Sequence, residues 1–253
     1  MHNQFQNEGF HLFDEGAIAV ELIDAAFNAI PSLFDNKSDT GLSHWGIAKG
    51  HEQGALTRVA QPHICSEAFY NLLTKSDIGT SIAQVLQCSK LRVWGSQLYY
   101  KPQGNNPKTN VGWHRDSQHM PFFKSGVATL WIPLIDVTPD SGTLCYVPKS
   151  HHLNLFETPT GAQNLDLETE AIRVMEHSTS QWTEHALTLS RGSFSMHQWD
   201  LIHGSKANYA NMPRAALSVG IYTEHLKVQD TENDYGYKQI LDNDFYCPVL
   251  FEK

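Results

Sequence analysis

Five consecutive residues, Gly112-Trp113-His114-Arg115-Asp116, hold the pair best suited to chemistry. On an extended chain, side chains at i and i+2 share a face. The His114 imidazole and the Asp116 carboxylate are therefore expected to converge, and such a pair suits a transition metal. Two imidazoles and one carboxylate form the facial triad of non-haem Fe(II) oxygenases, which leaves coordination positions open. A His-x-Asp triplet also arises by chance, so a third ligand has to be found elsewhere. His203, in Asp200-Leu201-Ile202-His203-Gly204-Ser205, follows a strand-like segment and precedes a glycine turn. Arg214 stands eleven residues further on, at the head of Arg214-Ala215-Ala216-Leu217-Ser218-Val219. A guanidinium buried in a barrel needs an anion, and its planar fork suits a carboxylate gripped at two points. Ser205 offers a hydroxyl to the same anion.

The chain has 14 histidines, and most show no paired ligand spacing. His197, in the strand-like SFSMHQW, is expected to support the metal or face the pocket. His119 falls where a pocket-facing loop would be. Arg115, His119 and His197 are the candidates for touching a substrate. His151 and His152 close a strand and read as a structural turn.

These side chains need a scaffold. Apolar residues at helical spacing predict a helix within 15–34, ended near Pro31. Residues 66–74 and 77–86 also read as helices, with Ser66 and Asp77 as N-caps. From about residue 90 the pattern changes to strands: 91–100, 127–134, 143–147, 186–189, 192–197 and 215–223. The segment 143–147 is expected to pair with 127–134 across the turn TPDSG. The expected architecture is mainly β with flanking α, a jelly roll in a single domain. A helical part covers about 1–90, a β core about 91–225 and a C-terminal extension about 226–253. The irregular stretch 151–185 reads as an insert or lid, since long loops in compact domains are usually functional or mobile.

Composition narrows the class. The chain has 253 residues, 41% hydrophobic and 18% charged, which suits a folded core. Its formal net charge is −9, which argues against non-specific nucleic-acid binding and against attraction to anionic membranes. Cys65, Cys88, Cys145 and Cys247 are scattered and fit a reduced compartment. The opening MHNQFQNEGF lacks the basic and apolar regions of a signal peptide, and no apolar run is long enough for a membrane helix. A soluble, cytoplasmic protein is expected. Its partner would be a small molecule, with a monomer or a homodimer equally open.

The ordered set of motifs resembles the phytanoyl-CoA dioxygenase (PhyH) family of Fe(II)/2-oxoglutarate-dependent oxygenases, from about residue 5 to 225. Phe5 and Glu8-Gly9-Phe10 resemble its opening motif. Tyr99-Tyr100-Lys101-Pro102-Gln103-Gly104 resembles its strand and KPxG element. Gly112-Trp113-His114-Arg115-Asp116 matches its WHxD motif. Residues 134–142 resemble its D-x-T-x-x-x-G turn, and Val147-Pro148-Lys149-Ser150-His151 its P-G-S-H, with Lys149 for glycine. His203-Gly204-Ser205, Asn208 and Arg214 match its distal block. The resemblance implies a double-stranded β-helix of cupin-like type. It implies Fe(II) held by His114, Asp116 and His203, with O2 and 2-oxoglutarate as cosubstrates. Arg214 would hold the distal 2-oxoglutarate carboxylate with help from Ser205. Trp131, Lys101, Gln97 and Tyr99 would line that site. The implied reaction hydroxylates an unactivated C–H bond and releases succinate and CO2. Desaturation, cyclisation or epoxidation on the same site, a lipid or acyl substrate, and a cupin-type isomerase or hydrolase are the alternatives.

The loops expected to shape the pocket are 1–36, 42–54, 119–123 and 151–185. They and their neighbours mix aromatics (Trp45, Phe122, Phe123, Phe156, Trp182) with polar groups (His51, Arg58, Gln118, His119, Arg173). That mixture suits a small polar or natural-product-like substrate.

Overall fold

The computed structural model describes residues 1–153, 158–176, 181–230 and 234–253. Phe156 lies outside the described residues, as does part of the 151–185 insert. The N-terminal part carries α1 (His2–Glu8), β1 (Phe10–Phe13), α2 (Val20–Phe34), β2 (Gly46–Ala48), β3 (Thr57–Ala60), α3 (Pro62–Cys65), α4 (Glu67–Thr74) and α5 (Ile78–Leu86). The central part carries β4 (Lys90–Lys101), β5 (Val111–His114), the single turn α6 (Asp116–His119), β6 (Phe123–Pro133) and β7 (Cys145–Tyr146). There follow α7 (Leu167–Met175), β8 (His185–Ala186), β9 (Phe194–Gln198), β10 (His203–Ser205), β11 (Arg214–Val228) and β12 (Val249–Glu252).

Two sheets form. The larger has the order β1-β9-β6-β11-β4-β3-β2, with β12 also paired to β4, and the smaller the order β5-β10-β7-β8. Strand alternation gives the larger sheet two different faces. One face presents Val59, Leu98, Leu130, Ile132, Met196, Leu217 and Val219. These pack on Ile23, Ile30 and Leu33 of α2, Phe69 and Leu72 of α4, and Ile78 and Ile82 of α5. The apolar stripes of the three helices therefore close the outer side of the sheet, each buried side chain contributing roughly 1.5–3 kcal/mol. On the inner face, register aligns Ala60, Gln97, Ser218, Trp131 and Ser195 in one row across five strands. A second row holds Arg58, Tyr99 and Ala216. The inner face meets the smaller sheet through Phe10, Trp131, Ala216, Leu144 and Tyr146.

Three expectations are corrected. First, the segment around β7 does not pair with β6. Instead β6 lies between β9 and β11, while β7 pairs with β10 and β8 in the other sheet. The TPDSG stretch is a crossover: Pro139–Ser141 forms one 3-10 turn, and Gly142 at φ 64 redirects the chain. Second, α2 continues past Pro31 to Phe34 and starts at Val20. Pro31 gives up a bond to the Phe27 carbonyl and crowds it, but Leu33, fully buried, holds the last turn against the core. Third, Ser66 and Asp77 occupy N-cap positions, but neither side chain makes a capping hydrogen bond. The four cysteines are free and buried. Among the described residues no helix is long and apolar enough to cross a membrane.

Candidate active site

The register of the smaller sheet assembles the site. His203 on β10 is the direct partner of His114 on β5 and of Tyr146 on β7. Cross-strand partners share a face, so all three rings turn toward the larger sheet. Arg115 then carries the chain in extended conformation into α6, whose first residue is Asp116.

His114, Asp116 and His203 offer ligand atoms within 4.8 Å of one another. Asp116 Oδ1 lies 3.9 Å from His114 Nε2 and 3.6 Å from His203 Nε2. Ligands about 2.0–2.2 Å from one metal ion fall at such separations. The tautomers fit as well. His114 Nδ1–H donates to the Gly112 carbonyl at 2.7 Å, and His203 Nδ1–H to the Leu201 carbonyl at 2.9 Å. Each carbonyl sits two residues upstream, fixes its ring and leaves Nε2 with a lone pair for the metal. Burial pushes His114 down to about 4, against the pull of Asp116. Burial and the neighbouring rings of His114 and His197 push His203 well below its usual range. Burial alone would raise the Asp116 carboxyl. The imidazoles of His203, His197 and His114 outweigh that and hold it well below the usual carboxylate range. Two neutral imidazoles and one ionised carboxylate are a donor set in its ligating state.

Asp116 divides its oxygens between two duties. Oδ2 accepts from Thr129 Oγ1 at 2.5 Å and from His197 Nε2 at 3.2 Å. His197 Nδ1 in turn accepts from the Tyr146 hydroxyl at 3.1 Å, and Tyr146 lies 2.8 Å from Ser195 Oγ. Oδ1 is left for the metal. His197, expected to support the metal or face the pocket, is 2% exposed, orients Asp116 and lines the cavity beside the triad.

A cavity of about 50 Å³ adjoins the triad, lined by Tyr99, Trp131, Leu144, Ser205, Arg214 and Ser218. Arg214 is 1% exposed. It donates to the Gly142 carbonyl at 2.6 Å and weakly to the Tyr99 carbonyl at 3.5 Å, while its Nε has no partner among the described residues. Among the described residues no carboxylate pairs with it, and burial lowers its pKa to about 9. A desolvated guanidinium without a counter-charge is costly, and an anionic ligand in this cavity removes the cost. Trp131 lies beneath it, the guanidinium carbon 5.8 Å from the ring centroid.

The remaining expected residues divide. Ser205 lines the cavity, and its Oγ accepts from Lys101 Nζ at 2.7 Å, leaving its own hydroxyl hydrogen for the cavity. Lys101 was expected as a lining residue, but it is fully buried behind Ser205 and also donates to the Lys206 carbonyl. Burial and the nearby Arg214 push its pKa well down. Gln97 and His119 line a second cavity of about 290 Å³, which shares Tyr99, His114, Asp116 and Ser218 with the first. Arg115 turns away and donates to the Ser150 and Leu153 carbonyls.

The loop assignments also change. Segment 1–36 packs outside and lines neither cavity, and Arg173 is spent on Glu170 at 2.7 Å. The 151–185 insert contributes Ala162 and Gln163 to the wall. Gly112 permits this, since a Cβ there would collide with the Gly161 and Asn164 carbonyls. Thr129, Tyr146 and Ser195, together with Trp94, Trp199 and Tyr237 of the second cavity, were missed. Thr129 had a signal, because it alternates with Trp131 along one strand. Tyr237 had none, since it reaches the site from the C-terminal extension.

Fold and site together set three converging candidate metal ligands beside a buried cation, between facing β-sheets. The chain belongs to the phytanoyl-CoA dioxygenase (PhyH) family, whose profile matches residues 5–216. It is 26% identical over 191 residues to a probable alpha-ketoglutarate-dependent hypophosphite dioxygenase of Stutzerimonas stutzeri. That match covers 72% of this chain and 63% of the relative's length. Among solved structures it resembles SnoK, the non-heme alpha ketoglutarate dependent carbocyclase of nogalamycin biosynthesis. The TM-score is 0.73 at 19% identity, over 98% of this chain and 94% of the other. It also resembles EctD from S. alaskensis with 2-oxoglutarate and 5-hydroxyectoine, with TM-score 0.66 at 19% identity, over 90% and 77% of the two chains.

Proposed function

We propose that the protein is an Fe(II)/2-oxoglutarate-dependent dioxygenase that hydroxylates a C–H bond of a small molecule. The observation that carries this reading is Arg214, a buried guanidinium with no anionic partner among the described residues, beside three converging metal ligands. A hydrolase or isomerase on the same scaffold has no use for that cation. The donor set fits iron, since His and carboxylate ligands on one face with open positions suit a non-haem Fe(II) site. When bound, iron with 2-oxoglutarate and O2 supplies the oxidation, yielding succinate, CO2 and one oxygen atom for the substrate.

The chain supplies geometry. His114 and His203, held by backbone carbonyls, and Asp116, held by Thr129 and His197, would grip the metal from one side. Arg214 and Ser205 would bind the far carboxylate of 2-oxoglutarate and fix its reach to the metal. Tyr99 lines both cavities and would stand between cosubstrate and second substrate. Its phenol is pushed up to about 12 by burial, so it stays protonated and available as a donor. The apolar walls at Trp131 and Leu144 exclude water from the cosubstrate.

The test is a turnover assay. Succinate release from 2-oxoglutarate that requires both Fe(II) and O2, and vanishes in His203→Ala, supports the reading. Metal-dependent hydrolysis or isomerisation without succinate overturns it.

A further inference from the structure

The larger cavity carries groups that neither metal nor cosubstrate uses. Arg58 on β3 faces it from the register position opposite Tyr99. Among the described residues the Arg58 guanidinium makes no ion pair and no hydrogen bond, its charge acts on the Tyr99 phenol, and it does not line the smaller cavity that holds Arg214. The two arginines thus serve different cavities. Tyr99, His114, Asp116 and Ser218 line both cavities, so the cavities meet at the metal position.

The rest of the wall is aromatic. The β4–β11 ladder has a bulge, with Gly220 opposite Gly95 but Ile221 opposite Val93. Trp94 is the extra residue. A bulge re-aims a side chain, and here the indole lies over Gly220, where a Cβ would collide with its ring. Trp199 meets Trp94 edge to face at 5.9 Å, and Tyr237 does so at 5.1 Å. Both indole N–H groups are buried and have no acceptor among the described residues.

We infer that the second substrate is a small organic monocarboxylate with a compact apolar body. Arg58 pairs with its carboxylate, and Trp94, Trp199 and Tyr237 hold its body beside the metal. One unpaired cation matches one negative charge. The volume of about 290 Å³ and three aromatic walls exceed what a tetrahedral inorganic anion fills. This inference rests on the dioxygenase reading of the same site.

The experiment is calorimetric titration of the anaerobic enzyme loaded with Fe(II) and saturating 2-oxoglutarate. The probes are 3-phenylpropanoate, indole-3-acetate, 3-phenylpropanamide and sodium hypophosphite. The visible iron–2-oxoglutarate charge-transfer band is recorded first in every sample. The expected result is that the acids bind at least about tenfold tighter than the amide, the scale of one charge-assisted hydrogen bond. Arg58→Gln should remove that preference, and Arg58→Lys should keep part of it. Equal binding of acid and amide, no binding of either acid, hypophosphite as the tightest ligand, or a preference that survives Arg58→Gln overturns the inference. Loss of the band in Arg58→Gln also overturns it, by placing Arg58 in the cosubstrate site. Absence of the band in the wild type instead refutes the dioxygenase reading.

Discussion

His197 donates to Asp116 across 3.2 Å, and this bond decides which oxygen of Asp116 is free. With Thr129 on the same Oδ2, Oδ1 is turned toward His114 and His203. The order of groups runs Ser195, Tyr146, His197, Asp116, a buried line that ties the larger sheet to a residue leaving the smaller one.

His197→Phe should therefore weaken Fe(II) binding by roughly 10–100-fold, the usual effect of losing an outer partner of a ligand. His197→Gln can still donate to Oδ2 and should recover part of the loss. Anaerobic Fe(II) titration of both variants checks this, and equal affinities for wild type and His197→Phe would remove the orienting role.

Arg214→Ala should raise the 2-oxoglutarate requirement by about 30-fold or more, as removal of one partner of a buried charge pair costs 2–5 kcal/mol. Fe(II) affinity should stay near the wild-type value. Succinate release measured against 2-oxoglutarate concentration separates the two effects. An unchanged half-saturation point would contradict the anchor.

Gly220→Ala should cost about 1–3 kcal/mol, since the added methyl runs into the Trp94 ring. Adding Trp94→Ala should return part of that stability by vacating the space. Urea unfolding midpoints of the single and double variants test the contact, and an additive double variant would argue against it.

Acid should loosen the fold through His63. Burial pushes its pKa down to about 4 from an ordinary 6.5. The neutral ring donates from Nε2 to the Tyr246 carbonyl at 2.9 Å and accepts from Ser96 Oγ at 2.6 Å. Below pH 6.5 the unfolded chain binds a proton that the folded chain refuses until about 4. Stability therefore falls as pH drops through that window, by about 3 kcal/mol from this group. His63→Gln should flatten the pH dependence of urea unfolding between those limits. An unchanged slope would contradict it.

The motif-bearing residues were legible because their chemistry is local. His114 and Asp116 sit two apart, and His203 and Arg214 recur in order behind a glycine and a strand. The helices of 66–74 and 77–86 were legible from apolar spacing. Other features depend on sheet register, which local pattern does not encode. The crossing of 143–147 to the other sheet is one. The bulge that turns Trp94 inward is another, since alternation alone sends it to the wrong face. Lys101 looked like a lining residue for the same reason: its register position faces inward, but Ser205 stands in front of it.

The most direct test of the metal and cosubstrate site is an anaerobic titration of metal-free protein with Fe(II) and then 2-oxoglutarate, followed in the visible spectrum. A charge-transfer band that forms in the wild type, is lost in Asp116→Ala and needs far more 2-oxoglutarate in Arg214→Ala is the predicted result. Iron that binds without any band on adding 2-oxoglutarate would contradict it.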